Sequence, residues 1–293
     1  MTVKKIIQKL NAYHRLMRLD KPIGILLLLW PTLWGLFIAG KGEPDWIISL
    51  IFVAGTVLMR SAGCVMNDIA DSQYDGLVAR TQYRPLVTNE VSKKEAYILA
   101  AMLSLVAFGL VCMLNTLTIK LSLVGLLLAI SYPFTKRFFV MPQAYLGIAF
   151  GWGIPMAFAA ILGYVPPIAW LLLLANISWA IAYDTEYAMV DREDDLKIGI
   201  QSSAITFGRF DVVAVMGCYT LTLFLLTLTG QLLGLGFAYY VGLALAASVA
   251  IHHYFLIRQR EKTNCFKAFL ANNWFGFCVF IGLATQYLIS AKI

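Results

Sequence analysis

The chain is poor in charge. Only 13% of its 293 residues are Asp, Glu, Lys or Arg, against 60% apolar, and the mean hydropathy is +0.76. A soluble domain carries about 25% charged residues, and a water-facing fold of this size cannot hide so much apolar surface. A soluble globular class is therefore excluded, and the solvent that the composition implies is lipid. Histidine is scarce as well: His14, His252 and His253 are the three. The last two are adjacent, so a helix splays them apart; they are read as sitting at a helix end, with no metal role. The five cysteines, Cys64, Cys112, Cys218, Cys265 and Cys278, lack metal-type spacing and read as small buried hydrophobes.

What the chain has instead is long apolar runs. A membrane span needs roughly 20 such residues, and windows near 22–40, 46–66, 94–114, 118–134, 143–162, 166–187, 210–230, 234–257 and 270–290 qualify. The expectation is an all-α polytopic membrane protein of a single domain, with nine helices. Pro31 and Pro155 fall inside spans, where packed membrane helices tolerate a kink. The opening stretch, residues 1–20, is charged up to Lys21 and lacks a small-residue cleavage site, so it does not read as a cleavable signal. It reads as a basic amphipathic segment on the membrane surface.

Orientation follows from the basic residues. Of 23 lysines and arginines, nineteen fall on one side of the nine-span plan. Lys41, Lys120 and Lys292 fall on the other, and Arg60 lies within a span. This predicts a multi-pass membrane protein with its N-terminus in the cytoplasm and its C-terminus outside. The net charge of +7 then reflects topology and gives no reason to expect a nucleic-acid partner.

Two cytoplasmic connections, 67–93 and 188–209, are long and rich in acid, which positive-inside topology does not require. Asn67, Asp71 and Asp75 are spaced i, i+4, i+8. They drift only about 40° per step and form one stripe if the helix is continuous. Asp68 lies off that stripe. In DTEYAMVDREDD, residues 184–195, Asp191 and Asp195 are again i, i+4, and Asp184 falls near the same face. Glu193 and Asp194 point elsewhere and read as solvated. Stacked carboxylates repel on a bare helix, and a shared divalent cation reverses the sign. Mg²⁺ prefers oxygen ligands and is held by one or two carboxylates plus substrate phosphates. Two such stripes on one side of the membrane suit a diphosphate bridged by two Mg²⁺ ions. Arg80, Arg84, Lys136 and Arg137 lie near the stripes. Arg60, seven residues before Asn67, lies two turns deeper on the same face and is either a diphosphate contact or a structural brace.

DSQYDGLVAR looks like the start of the CDP-alcohol phosphotransferase motif, but its first gap is one residue too long and no further aspartate follows before Asp184. A transporter would place acids deep within spans and repeat its hydropathy pattern; here the acids sit at the rim.

The segments RLDKPIGILLLLWPTLWGL (18–36), RSAGCVMNDIADSQYDGLVARTQYRPL (60–86), SYPFTKRF (131–138) and YDTEYAMVDREDDLKIGIQSSAI (183–205) resemble the UbiA superfamily of intramembrane prenyltransferases. The first of them resembles its hydroxybenzoate branch. The superfamily's N-D-x-x-D-x-x-x-D motif matches Asn67, Asp68, Asp71 and Asp75, its D-x-x-x-D motif matches Asp191 and Asp195, and Arg137 matches a basic position linked to the aromatic substrate. The resemblance implies nine helices around a central cavity capped by the two acidic connections. It also implies Mg²⁺-dependent transfer of a polyprenyl chain from its diphosphate to the ring carbon ortho to the hydroxyl of 4-hydroxybenzoate, feeding ubiquinone synthesis. Asn67, Asp71, Asp75, Asp191 and Asp195 would hold metal. Arg60, Arg80, Arg84, Lys136 and Arg137 would bind substrate, and Asp75 or Asp191 would act as base. Membrane lipid is the other partner implied, with no obligate protein partner.

Overall fold

A computed structural model describes residues 3–73, 75–77, 81–135, 137–199 and 201–291. Among these the regular structure is entirely helical: α1 (Val3–Leu16), α2 (Ile23–Ala39), α3 (Trp46–Asp71), α4 (Lys93–Val111), α5 (Thr116–Thr135), α6 (Pro142–Gly151), α7 (Gly153–Leu162), α8 (Pro167–Ile198), α9 (Ser203–Phe207), α10 (Asp211–Leu232), α11 (Phe237–Ile257) and α12 (Lys262–Ser290). Eight stretches are long and apolar enough to cross a membrane, with α6 and α7 forming one and α9 and α10 another; α2, 17 residues long, is a ninth, shorter apolar helix. The nine-helix expectation is met among the described residues, and the chain is a polytopic membrane protein.

Local chemistry places the ends. The Asp45 carboxylate accepts the backbone N–H groups of Ile47 and Ile48 at 2.8 and 3.0 Å and starts α3. Ser92 and Glu95 form a reciprocal capping box that starts α4. The fifth span breaks at Trp152 between α6 and α7. Pro155 has no N–H to give the Gly151 carbonyl four residues back, so the break falls just ahead of it. Pro31 leaves α2 unbroken.

Two sequence expectations are corrected here. The connection 188–209 is mostly helix: α8 continues eleven residues past the expected end of its span, to Ile198, and stops where Gly199 adopts φ +73°. Asp191 and Asp195 keep the expected i, i+4 helical spacing, and because aspartate is a poor helix former, ion pairs rather than propensity hold the extension in place. Arg192 pairs with the buried Asp211 of α10, which Arg260 also grips at 2.8 Å, and Glu193 meets Lys262 at 2.7 Å. Asp194 lies 3.3 Å from Lys197. The cysteine reading also needs adjustment: Cys64 and Cys265 are buried and Cys218 and Cys278 partly so, but Cys112, which caps the end of α4, is exposed.

Helices in lipid gain no hydrophobic drive from touching one another, so close packing and polar contacts must orient them. Gly242 and Gly282 let α11 and α12 touch backbone to backbone; a Cβ on Gly242 would stand 2.7 Å from the Gly282 Cα. The rotation of α8 is set differently, since apolar residues surround its circumference in the span. Glu186, 0% exposed, accepts from Tyr219 Oη (3.0 Å) and Asn272 Nδ2 (2.8 Å) and lies 3.2 Å from His253 Nδ1. Trp179 Nε1 donates to Asn272 Oδ1 at 2.8 Å. This cluster pins α8 to α10, α11 and α12. It also corrects the histidine reading: His253 lies within α11 and is wholly buried in the cluster, while its neighbour His252 is exposed.

Candidate active site

At about 100° per residue, Glu186 lies roughly 200° round α8 from Asp184, while Asp191 and Asp195 fall within about 20° of Asp184. Pinning Glu186 into the bundle therefore turns Asp184, Asp191 and Asp195 the other way. All three line a cavity of ≈ 1430 Å³, and Asn67, Asp71 and Asp75 line it as well. The two acid clusters, more than a hundred residues apart in sequence, share one space. That space exceeds the roughly 300–1,000 Å³ of a drug-sized pocket. Away from the acids its wall is apolar, built from residues such as Leu27, Phe52, Ala107, Leu126 and Met156.

The first cluster is not one helical stripe. Asn67 and Asp71 end α3, and Asn67 Nδ2 donates to Asp71 Oδ2 at 3.1 Å. Asp75 lies beyond the helix, in a short 3-10 turn at residues 75–77. Carboxylates in a last turn oppose the helix dipole, and a further turn would stack a third acid on two others. Asp75 returns to the cavity because Arg84 Nη1 holds its Oδ2 at 2.6 Å and Thr81 Oγ1 donates to its carbonyl at 2.6 Å. Burial pushes the Asp75 carboxyl up from the usual aspartate range to about 6, against the opposing pull of Arg84.

Asp68, off the stripe as expected, is 1% exposed, and its role was not legible in the sequence. Arg18 grips both its oxygens at 2.9 and 3.2 Å, and Arg84 reaches it at 3.0 Å. Arg18, Arg84 and Asp75 line the cavity; Asp68 stands behind them.

Arg60 lines the cavity from the middle of α3, its guanidinium 5.4 Å over the Phe150 ring. Its Nε is buried with no hydrogen-bond partner among the described residues. A Cβ on Gly24 would stand 2.4 Å from that Nε, so only glycine leaves the guanidinium its place. Arg137 is exposed, donates to the Ala70 carbonyl at 3.2 Å and, among the described residues, is outside the cavity lining. Arg80 and Lys136 lie outside the described residues. The sequence reading passed over Tyr183, whose buried hydroxyl faces the cavity without a partner among the described residues. Its only signal was its place beside Asp184.

The donor set fits magnesium. Asn67 Oδ1 is a buried acceptor with no partner among the described residues, next to Asp71 and on the same cavity as Asp191 and Asp195. All are hard oxygen donors. Among the described residues no three carboxylate, imidazole or thiolate groups converge on one point. The clusters are thus two half-sites, which suits an ion completed by substrate phosphate better than an all-protein cage.

A helical membrane bundle whose cavity joins acids and arginines to an apolar wall is built for an anionic head on an apolar tail. The chain belongs to the UbiA prenyltransferase family, whose model matches residues 28–280. It is 64% identical over 285 residues to a 4-hydroxybenzoate octaprenyltransferase of Methylobacillus flagellatus, covering 97% of this chain and 96% of that one. It is also 64% identical over 281 residues to an enzyme of the same name from an Azoarcus species, covering 96% and 98%. Among solved structures, a UbiA homolog from Aeropyrum pernix superposes with TM-score 0.78 at 27% identity, over 92% of this chain and 98% of that one. A UbiA homolog from Archaeoglobus fulgidus bound to GPP and Mg²⁺ gives 0.68 at 17% identity, over 92% and 99%, which establishes a shared fold.

Proposed function

We propose that this protein transfers a polyprenyl chain, octaprenyl in its relatives' names, from the diphosphate to the ring carbon of 4-hydroxybenzoate ortho to the hydroxyl, in ubiquinone biosynthesis. The observation that carries the proposal is the meeting of the Asn67–Asp71 and Asp191–Asp195 pairs on one cavity whose remaining wall is apolar. Identity of 64% to enzymes named for this reaction supports the choice of acceptor.

The residues divide the work. Asn67, Asp71, Asp75, Asp191 and Asp195 would hold Mg²⁺, two ions in this proposal. When bound, the metal supplies positive charge against which diphosphate can depart. Arg84 and Arg18 line the same cavity and orient the diphosphate, and Arg80, Lys136 and Arg137 would assist in binding substrate. The apolar wall keeps water from the allylic carbon as its bond to oxygen breaks. Arg60 sits seven residues before Asn67, about 10 Å deeper along α3, with an unspent donor. It pairs with the acceptor's carboxylate, which lies para to the hydroxyl, so the ring spans from Arg60 to the rim. The new carbon–carbon bond forms at the ortho carbon, and the acceptor's proton passes to a rim carboxylate, Asp75 or Asp191. The basic-residue bias supports a cytoplasmic rim with the N-terminus on the same side, and the bacterial relatives support an inner-membrane location.

The test is turnover by the purified protein in vesicles with octaprenyl diphosphate and ring-labelled 4-hydroxybenzoate. Prenylated acid should form with Mg²⁺ and stop with EDTA. No product under either condition would sink the assignment.

A further inference from the structure

Helix α1 has three faces. At about 100° per residue, Ala12 and Leu16 share one; both are buried, against Val65, Ile69, Leu86, Val91, Ala96 and Ala100. Lys4, Gln8, Asn11 and Arg15 form a polar stripe about a quarter-turn away. The third face carries Val3, Ile6, Ile7 and Leu10 at i, i+3, i+4, i+7, with exposures of 73, 43, 62 and 61%. A helix capping a protein in water turns polar residues outward; a contiguous apolar stripe with no protein over it marks a surface that something else covers.

The level of α1 identifies the cover. Val65 and Ile69 lie in the last two turns of α3, and Ala96 and Ala100 in the first turns of α4, so α1 is docked where the spans leave the apolar slab. Its sides are separated as an in-plane helix requires: protein on one side, a polar stripe for water, an apolar stripe for lipid. Its Lys4 and Lys5 are exposed and the helix has no acid, which suits anionic headgroups.

The same helix is tied to the acidic turn. Lys9 Nζ donates to Glu95 Oε2 and to the Glu90 carbonyl, both at 2.9 Å. Arg15 pairs with Glu90. Arg18, two residues past the helix, holds Asp68, which shares Arg84 with Asp75. We infer that α1 is an interfacial strap: its Val3–Ile6–Ile7–Leu10 stripe docks in the headgroup–acyl boundary of an anionic bilayer, and that docking keeps Arg18 on Asp68 and Arg84 aimed at the cavity.

This inference goes beyond the proposed reaction, and its first test does not use activity. Hydrogen exchange is followed on the full chain in vesicles of phosphatidylcholine alone and with phosphatidylglycerol added. Backbone amides of residues 3–10 should exchange about tenfold more slowly with phosphatidylglycerol present, and Ile6→Glu/Ile7→Glu should abolish that slowing. Equal exchange in both lipids overturns the docking, as does protection that follows protein concentration at fixed lipid, which would mean a second copy covers the stripe. In turnover, the double variant should raise KM for the prenyl diphosphate about three- to tenfold, while Gln8→Glu on the polar stripe should match the parent. Lost protection with unchanged KM overturns the coupling to Arg18.

Discussion

Arg84 serves two carboxylates with one nitrogen: its Nη1 lies 3.0 Å from Asp68 Oδ1 and 2.6 Å from Asp75 Oδ2. Asp68 is therefore a positioning residue, acting on the cavity only through the arginines it holds. Asp68→Asn should raise KM for the prenyl diphosphate and lower kcat/KM about tenfold, equivalent to roughly 1.4 kcal/mol. The apparent Mg²⁺ requirement should stay within about twofold of the parent, whereas Asp71→Asn should shift it strongly. Magnesium titrations of initial rate on the two variants separate these roles; an equal shift would make Asp68 a metal ligand.

Asp75 gives a pH dependence. Its carboxyl titrates near 6 when folded, against an ordinary value of 3.8, because burial outweighs Arg84. The folded chain thus binds more proton than the unfolded one between these values, so the contribution of this group to stability is lost as pH rises from about 4 to about 6. Asparagine cannot ionise. In EDTA-treated protein, the Tm of Asp75→Asn relative to the parent should therefore rise between pH 5 and pH 7.5. Thermal scans across that range check it, and a flat or falling difference contradicts the burial argument.

Arg60 and Arg137 make opposite claims on the aromatic acid. Resemblance favoured Arg137; the orphaned Nε within the cavity favours Arg60. Arg60→Ala should raise KM for 4-hydroxybenzoate about tenfold or more, with a smaller effect on the prenyl donor. Arg137→Ala should change both modestly. Steady-state kinetics with each substrate varied decide the matter, and the reverse pattern would move the carboxylate to the rim.

Glu186 lies outside the cavity yet turns the second acid cluster toward it. Glu186→Ala removes the buried acceptor that Tyr219, His253 and Asn272 share and leaves them only their bonds to one another, to Trp179 and to the Ala268 carbonyl, at a cost of about 2–5 kcal/mol. A lower Tm together with a raised Mg²⁺ requirement is expected. A lower Tm alone would make the cluster a brace with no bearing on the site.

Much of this was legible in the sequence where one local signal sufficed. Long apolar windows marked the spans, and i, i+4 spacing placed Asp191 with Asp195 and Asn67 with Asp71. What escaped was set by distant partners. Asp75 left its stripe because α3 stops at Asp71 and an arginine nine residues on recovers it. Asp68 finds Arg18 across 50 residues. The Glu186 cluster draws on four helices, each contributing a polar residue that looks isolated in its own apolar run. Spacing put the second acid cluster on a helix, but how far that helix runs past residue 187 was not legible, because the ion pairs that order it come from α10 and α12.

The central claim is that the two acid clusters act together on one substrate. Mn²⁺ in place of Mg²⁺ allows binding to be read by electron paramagnetic resonance with and without a prenyl diphosphate. The account predicts tight Mn²⁺ binding only with the diphosphate present, weakened at least about tenfold by Asp71→Asn and equally by Asp191→Asn. Tight binding and normal turnover surviving either substitution would contradict it.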